Sequence, residues 1–287
     1  MPQFIGIKSM STIKTDNIVN RTGDQDSGLD LGTNDVVKVK TANTERVRVD
    51  AIGNVGVGTS PSHPLHILTS TDGTGLSGDD KWAALIRNAE ATDARSYGLK
   101  IQAGSTTDQA LGITDHDGSN DLMAVQGNGI ITKPKQPSFA VWGVNNNSTL
   151  TMIDGTVVKL QNWDTTLHNI GSHFNLSSGV FTAPVAGRYF FYAQVMFRMS
   201  TSTYIGDLLI RLRVNGSDYS YTDIGYNDDG NGDGWNTETL SAIVSLSAND
   251  TVDVHYYLGS STHNTGDNTN WYIYNGRYTQ FHGHLLG

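Results

Sequence analysis

Short stretches of alternating apolar and polar residues, separated by Gly, Asn and Asp, recur along the whole chain. Val37–Lys40 and Arg46–Asp50 alternate strictly, which is typical of half-buried strands. Among the 28 acidic residues only Glu45, Glu90 and Glu238 are glutamates. Asp disfavours helix interiors because its short side chain bonds to the nearby backbone in turns. The pattern therefore predicts an all-β protein.

Changes in composition and in the length of the strand patterns divide the sequence into three regions. Residues 1–33 are polar and interrupted by glycine, residues 34–136 carry short strand patterns, and residues 137–287 carry longer, more aromatic ones. The junction is placed at Lys133–Pro137, where two prolines resist both helix and central strand. Met10 opens an alternating stretch and could also be a second translation start.

Two segments of the middle region resemble each other. Arg46–Pro61 and Leu122–Pro134 each contain a strand, a Gly-Asn turn, a second strand and a proline, which predicts a weak internal repeat of hairpins. Further strands are predicted at Leu65–Ile67 and Tyr97–Ile101. Isolated hairpins with so few apolar residues on one face are only marginally stable in water. We therefore expect a β-rich trimeric shaft, and a small monomeric β-domain is the alternative.

The last region is predicted to be a jelly roll or another β-sandwich, because regularly spaced strands alternate with polar loops. The predicted strands are Gly187–Phe197, Leu208–Val214, Leu240–Leu246, Val252–Leu258 and Tyr278–Leu286.

Three motifs in this region lie in the order found in a known family. They are His173–Phe191, Leu246–Val254 and Phe281–Leu286. On these motifs, residues 137–287 resemble the globular head of complement's first component, within the tumour-necrosis-factor-like jelly-roll superfamily. Asn249 stands where that family has Gly, and His284 stands where it has an aromatic residue. The resemblance implies a compact trimer, with the first and last strands near the threefold axis, that recognises other molecules and performs no chemistry.

The N-terminal half carries a second resemblance. Thr44–Pro61, followed by Leu65–Ile67, is similar to a segment in the shafts of bacteriophage tail fibres, and the stretch from Met10 is similar to fibre N-termini. Together the resemblances imply a homotrimeric virion fibre protein, made in the host cytoplasm and carried on the particle. Residues 1–33 would attach to other virion proteins, residues 34–136 would form the shaft, and the jelly roll would bind a host-surface glycan or protein.

Two other functions stay open. One is a head fibre, decoration or tail-assembly protein in which the jelly roll is only a trimerisation cap. The other is a polysaccharide depolymerase. Sugar cleavage needs two suitably placed carboxylates, whereas most Asp residues here lie in turn-like contexts. We therefore expect no catalytic residues and no enzyme.

Charge and composition limit the kinds of partner that we expect the protein to bind. The formal net charge is −9 and the 19 basic residues are scattered, which argues against a nucleic-acid partner. No apolar stretch approaches the roughly 18 residues that a transmembrane helix needs, so that we expect no membrane insertion. The chain has no Cys, which excludes disulfides and thiolate metal sites.

One loop resembles half of a calcium site. Asp229, Asn231 and Asp233 alternate with glycines, as oxygen ligands do in the first half of a calcium-binding loop. Leu240 occupies the twelfth position, where the loop needs a bidentate Glu. The same residues are also ordinary hairpin-turn chemistry, so that calcium is a candidate cofactor beside that alternative.

His282 and His284 lie two positions apart, so on a strand both point to one face. Close to a threefold axis, three copies could bring these imidazoles together around a metal. Hydrogen-bonded interface groups are the alternative.

Aromatic residues concentrate near the C-terminus, at Trp271, Tyr272, Tyr274 and Tyr278, with Trp235 from another loop. Aromatic side chains dominate recognition surfaces, although alternate residues of a sandwich strand face inward. Trp235 and Tyr226 are the predicted receptor contacts.

Overall fold

The computed structural model describes residues 15–19, 26–69, 82–87, 99–102, 105–145, 150–153, 155–199, 207–224, 234–259 and 271–287. These residues form β-strands and one short 3₁₀ helix, and no α-helix occurs among them, which confirms the all-β prediction. Within these ranges no helix is long and apolar enough to cross a membrane. The chain divides into two compact units, Met1–Lys100 and Ile101–Gly287. The predicted boundaries after residues 33 and 136 remain predictions.

The first unit contains one six-stranded sheet in which the strands follow their order in the chain. Every neighbouring pair is antiparallel except the last, which is parallel. The strands are β1 (Asn17–Val19), β2 (Gly28–Asp30), β3 (Val37–Thr41), β4 (Thr44–Val49), β5 (Val55–Val57) and β6 (Leu65–Ile67).

The second unit begins with a three-stranded sheet. Its strands are β7 (Gln109–Thr114), β8 (Asp121–Gln126) and β9 (Ile131–Thr132). The predicted strand at Tyr97–Ile101 is wrong for the three of its residues that the structure describes, since Leu99, Lys100 and Ile101 are outside any strand. Leu99 is 65% exposed, so no neighbouring strand selects an extended, paired conformation there.

Both halves of the predicted repeat are hairpins with the same turn. In the first, the Asp50 amide donates to the Asn54 carbonyl and the Gly53 amide donates to the Asp50 carbonyl. In the second, Gln126 and Gly129 make the equivalent bonds, with the Ile130 carbonyl as the first acceptor. The two glycines have φ of 88° and 86°, a region that glycine enters without steric cost. The turn chemistry explains why the two segments look alike.

The remaining strands build a sandwich of two sheets, as the jelly-roll prediction requires. The larger sheet has the order β11-β21-β16-β22-β10-β13, with β19 on the other side of β16, and the smaller has the order β14-β15-β20-β17-β18, with β12 beside β20. The strands are β10 (Ser138–Val144), β11 (Leu150–Thr151), β12 (Val157–Lys159), β13 (Trp163–Ile170), β14 (Phe174–Asn175), β15 (Val180–Thr182), β16 (Gly187–Met199), β17 (Asp207–Val214), β18 (Ser217–Ile224), β19 (Gly234–Leu246), β20 (Thr251–Gly259), β21 (Trp271–Ile273) and β22 (Gln280–Leu285).

The core between these sheets is strongly aromatic. Phe139 is stacked on Phe174 at 4.5 Å between ring centroids and meets Phe281 edge-on at 5.0 Å. Phe181 and Phe191 complete the cluster, and all five rings are buried. Aromatic pairs at these distances contribute beyond their buried area. The run Tyr189–Phe191 supplies two buried rings, those of Tyr189 and Phe191.

Four strands of the sandwich, β16, β17, β19 and β20, are longer than their sequence patterns indicated. β19 begins at Gly234 instead of Leu240, because it pairs with β16 along its whole length, from Gly187↔Leu246 to Met199↔Gly234. The last predicted strand is wrong at its start. Tyr278 lies in the 3₁₀ helix Gly276–Tyr278, and β22 begins only at Gln280.

Candidate functional site

The larger sheet presents one face to the core and one face outward. Along β16 the side chains of Tyr189, Phe191, Ala193, Val195 and Phe197 are buried. The alternating residues, from Phe190 to Arg198, are half-buried on the other side, as the two-residue period of a strand dictates. This outward face carries the predicted histidines and the predicted tryptophan.

A row of side chains, which we call the apolar row, crosses this face near the start of β16 and the end of β22. Ser138 pairs with His284, His284 with Phe190, and Phe190 with Ile243. The rings of Phe190 and His284 lie 5.4 Å apart, and Ile243 is 58% exposed. The exposed isoleucine beside two rings makes this row a candidate contact surface.

The next row contains His282. Its imidazole lies 5.8 Å from the ring of Tyr192, and its buried Nε2 has no hydrogen-bond partner among the described residues. Burial lowers the pKa of His282, and the charge of His168 lowers the pKa further. The neutral imidazole is therefore the favoured form in a single chain.

The structure places His282 and His284 on the same outward face, since both alternate with the buried Phe281 and Gly283. No group of three or more His, Asp or Glu side chains suited to a metal occurs among the described residues of one chain. A site shared by three copies is a different arrangement, and the axial metal remains a prediction.

At the opposite end of this face, aromatic rings form a cluster. Trp235 meets Tyr274 edge-on at 4.7 Å between centroids, and Tyr274 meets Tyr278 at 5.4 Å. The Arg198 guanidinium lies over the Trp235 ring at 5.1 Å. Trp235 is 46% exposed and Tyr278 is 52% exposed. We call Arg198, Trp235, Tyr274 and Tyr278 the aromatic cluster.

Backbone and amide hydrogen bonds hold the aromatic cluster on the sheet. The Tyr274 amide donates to the Met196 carbonyl at 2.7 Å, and the Gln194 amide side chain donates to the Tyr278 carbonyl at 3.2 Å. The Asn275 side chain accepts from the Val144 and Gly276 amides. The rings are therefore presented on fixed backbone, which lowers the entropy lost when a ligand binds.

Beside the cluster, the Arg277 guanidinium lies over the Trp142 ring at 5.8 Å. The Trp142 Nε1 is buried, and no hydrogen-bond partner for it occurs in the part of the chain that the structure describes. Two arginines, two tyrosines and two tryptophans thus lie along one strip of the sheet. Such a surface suits a ligand that combines flat apolar faces with hydroxyl or carboxylate groups.

Of the predicted site residues, Trp235 lies in this cluster, whereas Tyr226, Asp229, Asn231 and Asp233 lie outside the described residues. The calcium loop and the Tyr226 contact therefore stay predictions. Arg198 was not singled out from the sequence. Its proximity to Trp235 follows from the pairing of β16 with β19, which no local motif encodes.

A polar surface lies on the smaller sheet, and it too was not predicted from the sequence. Arg211 donates to Asp218 at 2.5 Å and lies 5.4 Å from the Tyr257 ring. Arg213 is 3.1 Å from the same carboxylate, and the residues border a depression of about 370 Å³. Because one aspartate already neutralises part of this charge, the pair has less capacity for an anion than two free arginines.

Comparison with known proteins identifies the sandwich. Residues 144–286 match the profile of the C1q domain. Among solved structures, the globular domain of zebrafish complement 1qA protein matches with 20% sequence identity and a TM-score of 0.33, over 53% of this chain and 98% of that one. No curated protein sequence matches the chain.

C1q domains are jelly rolls that self-associate into trimers and bind ligands, in some members with calcium. Proteins that carry them are generally recognition or structural modules. The resemblance stated from the three sequence motifs is thereby confirmed for the C-terminal region: residues 144–286 of this chain are a C1q domain.

Proposed function

We propose that the chain is a homotrimeric virion fibre protein of the tail-fibre type, whose C1q domain binds a receptor on the host surface. Residues 1–33 attach it to other virion proteins and residues 34–136 form its shaft. The likeness of Thr44–Pro61 to phage fibre shafts supports the virion location. The trimerising, ligand-binding character of C1q domains supports the remainder.

The observation that carries the receptor role is the aromatic cluster. Exposed Trp and Tyr rings, with an arginine above one of them, are the groups most enriched at the centres of binding surfaces. Trp235 and Tyr278 stay about half exposed to solvent. The ligand class we assign is a host-surface glycan, because sugar rings offer apolar C–H faces to aromatic side chains and hydroxyls to arginine.

The cluster and the apolar row serve different roles. Phe190 and Arg198 are eight positions apart on β16, which is roughly 27 Å along an antiparallel strand. The apolar row, with Phe190 and Ile243, packs between copies. The aromatic cluster lies at the end of the sheet where β16, β19 and β21 finish or begin. Three weak contacts in one trimer then add up to firm attachment.

The test uses the full-length protein. Light scattering measures the number of chains per particle, and fluorescently labelled protein is titrated onto intact host cells in the presence and absence of unlabelled virus. A trimer that binds saturably and competes with the virus supports the proposal. A well-folded trimer that binds none of the cells infected by the virus overturns the receptor role and leaves the C1q domain as a trimerisation cap. A monomer at micromolar concentration overturns the fibre.

A further inference from the structure

On one face of the first unit's sheet, apolar side chains form two continuous rows. Cross-strand pairing joins one residue from each strand into a continuous row: Ile18, Leu29, Val39, Val47, Val57 and Ile67. A second row, Val37, Val49, Val55 and Leu65, runs beside it. We call these two rows the valine face.

The opposite face of the sheet is polar and internally paired. Lys40 lies 2.6 Å from Asp30, and the Arg48 guanidinium donates two hydrogen bonds to the Glu45 carboxylate at 2.7 and 2.8 Å. The Lys38 ammonium donates to the Thr33 hydroxyl at 2.9 Å. These groups are satisfied within one chain, so the polar face needs no partner.

The valine face is open in a single chain. Val37 and Val39 are 42% and 38% exposed, whereas the lysines between and after them are only half-exposed. Val57 and Ile67 are 37% and 42% exposed. No hydrophobic side chain among the described residues of this unit is buried. A sheet that leaves its apolar face in water lacks the main driving force for folding.

The described remainder of the same unit does not cover the face. Trp82, Leu85 and Ile86 are 76%, 81% and 67% exposed, and Leu99 is 65% exposed. These side chains are themselves open to solvent. A surface that covers this face has to be apolar and free of charge, and a second copy of this sheet has such a surface.

We propose that the valine face packs against the valine faces of two further copies of this chain, so that three sheets enclose one shared core. This rests on the proposed trimer. C1q domains self-associate into trimers, and the covalent link to the C1q domain holds three copies of the sheet at high effective concentration. Three uncharged faces bury one another, and three polar faces point to solvent. The shaft is thus folded by association.

The absence of cysteine allows a direct test in the full-length chain. One variant carries Val39→Cys on the valine face, and its matched control carries Lys38→Cys on the adjacent position of the polar face. Each native protein is labelled with a maleimide, and the rates are divided by those in denaturant. Val→Cys is nearly isosteric, and a second pair, Ile67→Cys against His66→Cys, repeats the comparison on β6.

A covered face makes the thiol of Val39→Cys react about tenfold or more slowly than that of Lys38→Cys, because labelling then requires local opening. An open sheet gives the reverse order or equal rates, since Val39 is more exposed than Lys38 in one chain. Light scattering on the same samples distinguishes a failure of the proposed shared core from a failure of the proposed trimeric fibre. Equal rates in a trimer overturn the shared core alone, and a monomer overturns the fibre. Slow labelling in a monomer assigns the cover to the chain's own residues and also overturns the inference.

Discussion

The indole of Trp235 stands edge-on to the phenol ring of Tyr274, with 4.7 Å between the centroids and 77° between the planes. Tyr274 is fixed by its backbone bond to Met196, and the Arg198 guanidinium covers the indole at 5.1 Å. The indole is therefore oriented before any ligand arrives, while 46% of Trp235 remains exposed.

We expect Trp235→Ala to weaken binding of the full-length protein to host cells by about thirtyfold, the effect of losing a central aromatic anchor. The substitution removes an exposed ring, so the fold and the mass should not change. Trp82→Ala is the matched control, because Trp82 is 76% exposed and lies in the other unit. Titration of labelled protein onto cells measures both.

Two other outcomes would contradict the receptor role of the aromatic cluster. If Trp235→Ala lowers the mass measured by light scattering, the aromatic cluster belongs to the contact between copies. If both tryptophan variants bind like the native protein, the receptor contact does not involve the cluster.

Local rules predicted the hairpins and several key positions. The two predicted hairpin turns form as expected, because Gly53 and Gly129 have φ of 88° and 86°, which glycine adopts without strain. Asn249, which replaces the family's Gly, has φ of 73°, and Asn tolerates that region better than most residues. The alternation of His282 and His284 also sufficed to place both on one face.

Features that depend on distant pairing were not predictable from the sequence. The extension of β19 to Gly234 requires the full length of β16 as its partner. Arg198 meets Trp235 only through that register. The sequence predicts the individual strands with their few apolar residues. The continuity of the valine face across six strands arises from the pairing register, which the pattern of a single strand does not specify.

Ile243→Asp is expected to dissociate the proposed trimer. The side chain is 58% exposed in one chain, and it continues the row of Phe190 and His284. A carboxylate there would be buried between copies without a partner, which is strongly unfavourable. Light scattering should then give the mass of one chain. Val157→Asp, on the smaller sheet, should leave the native mass, and a trimer in both variants would place the contact away from this row.

Stability should fall as the solution is acidified through the titration of His282. Burial, followed by repulsion from His168, lowers its pKa below the ordinary value of 6.5. Between the two pKa values the unfolded chain binds more protons than the folded chain. The free energy of unfolding is therefore highest above pH 6.5, decreases below it, and levels off once the folded pKa is passed.

Thermal melting from pH 7.5 to 5 checks this, with His282→Gln and His116→Gln compared at every pH. The His282→Gln protein should lose less stability over this range than the native chain, because it lacks the group that gains a proton on unfolding. His116 is exposed, and its variant should follow the native curve. Parallel curves for all three proteins would assign the pH response to other groups.

Gly283→Ala should destabilise the sandwich by about 1–3 kcal/mol, the usual cost of overpacking a filled core. A Cβ at this position would lie 2.5 Å from Phe139 Cε1 and 2.7 Å from Phe191 Cδ1. Both rings are 1% exposed and packed on further rings, so that neither can withdraw. Gly112→Ala is the control, since its Cβ would meet only the mobile end of Gln109 at 3.1 Å. We expect it to change stability by less than about 0.5 kcal/mol. Denaturant unfolding of both variants measures the difference, and equal midpoints would mean that the aromatic core has room for another methyl group.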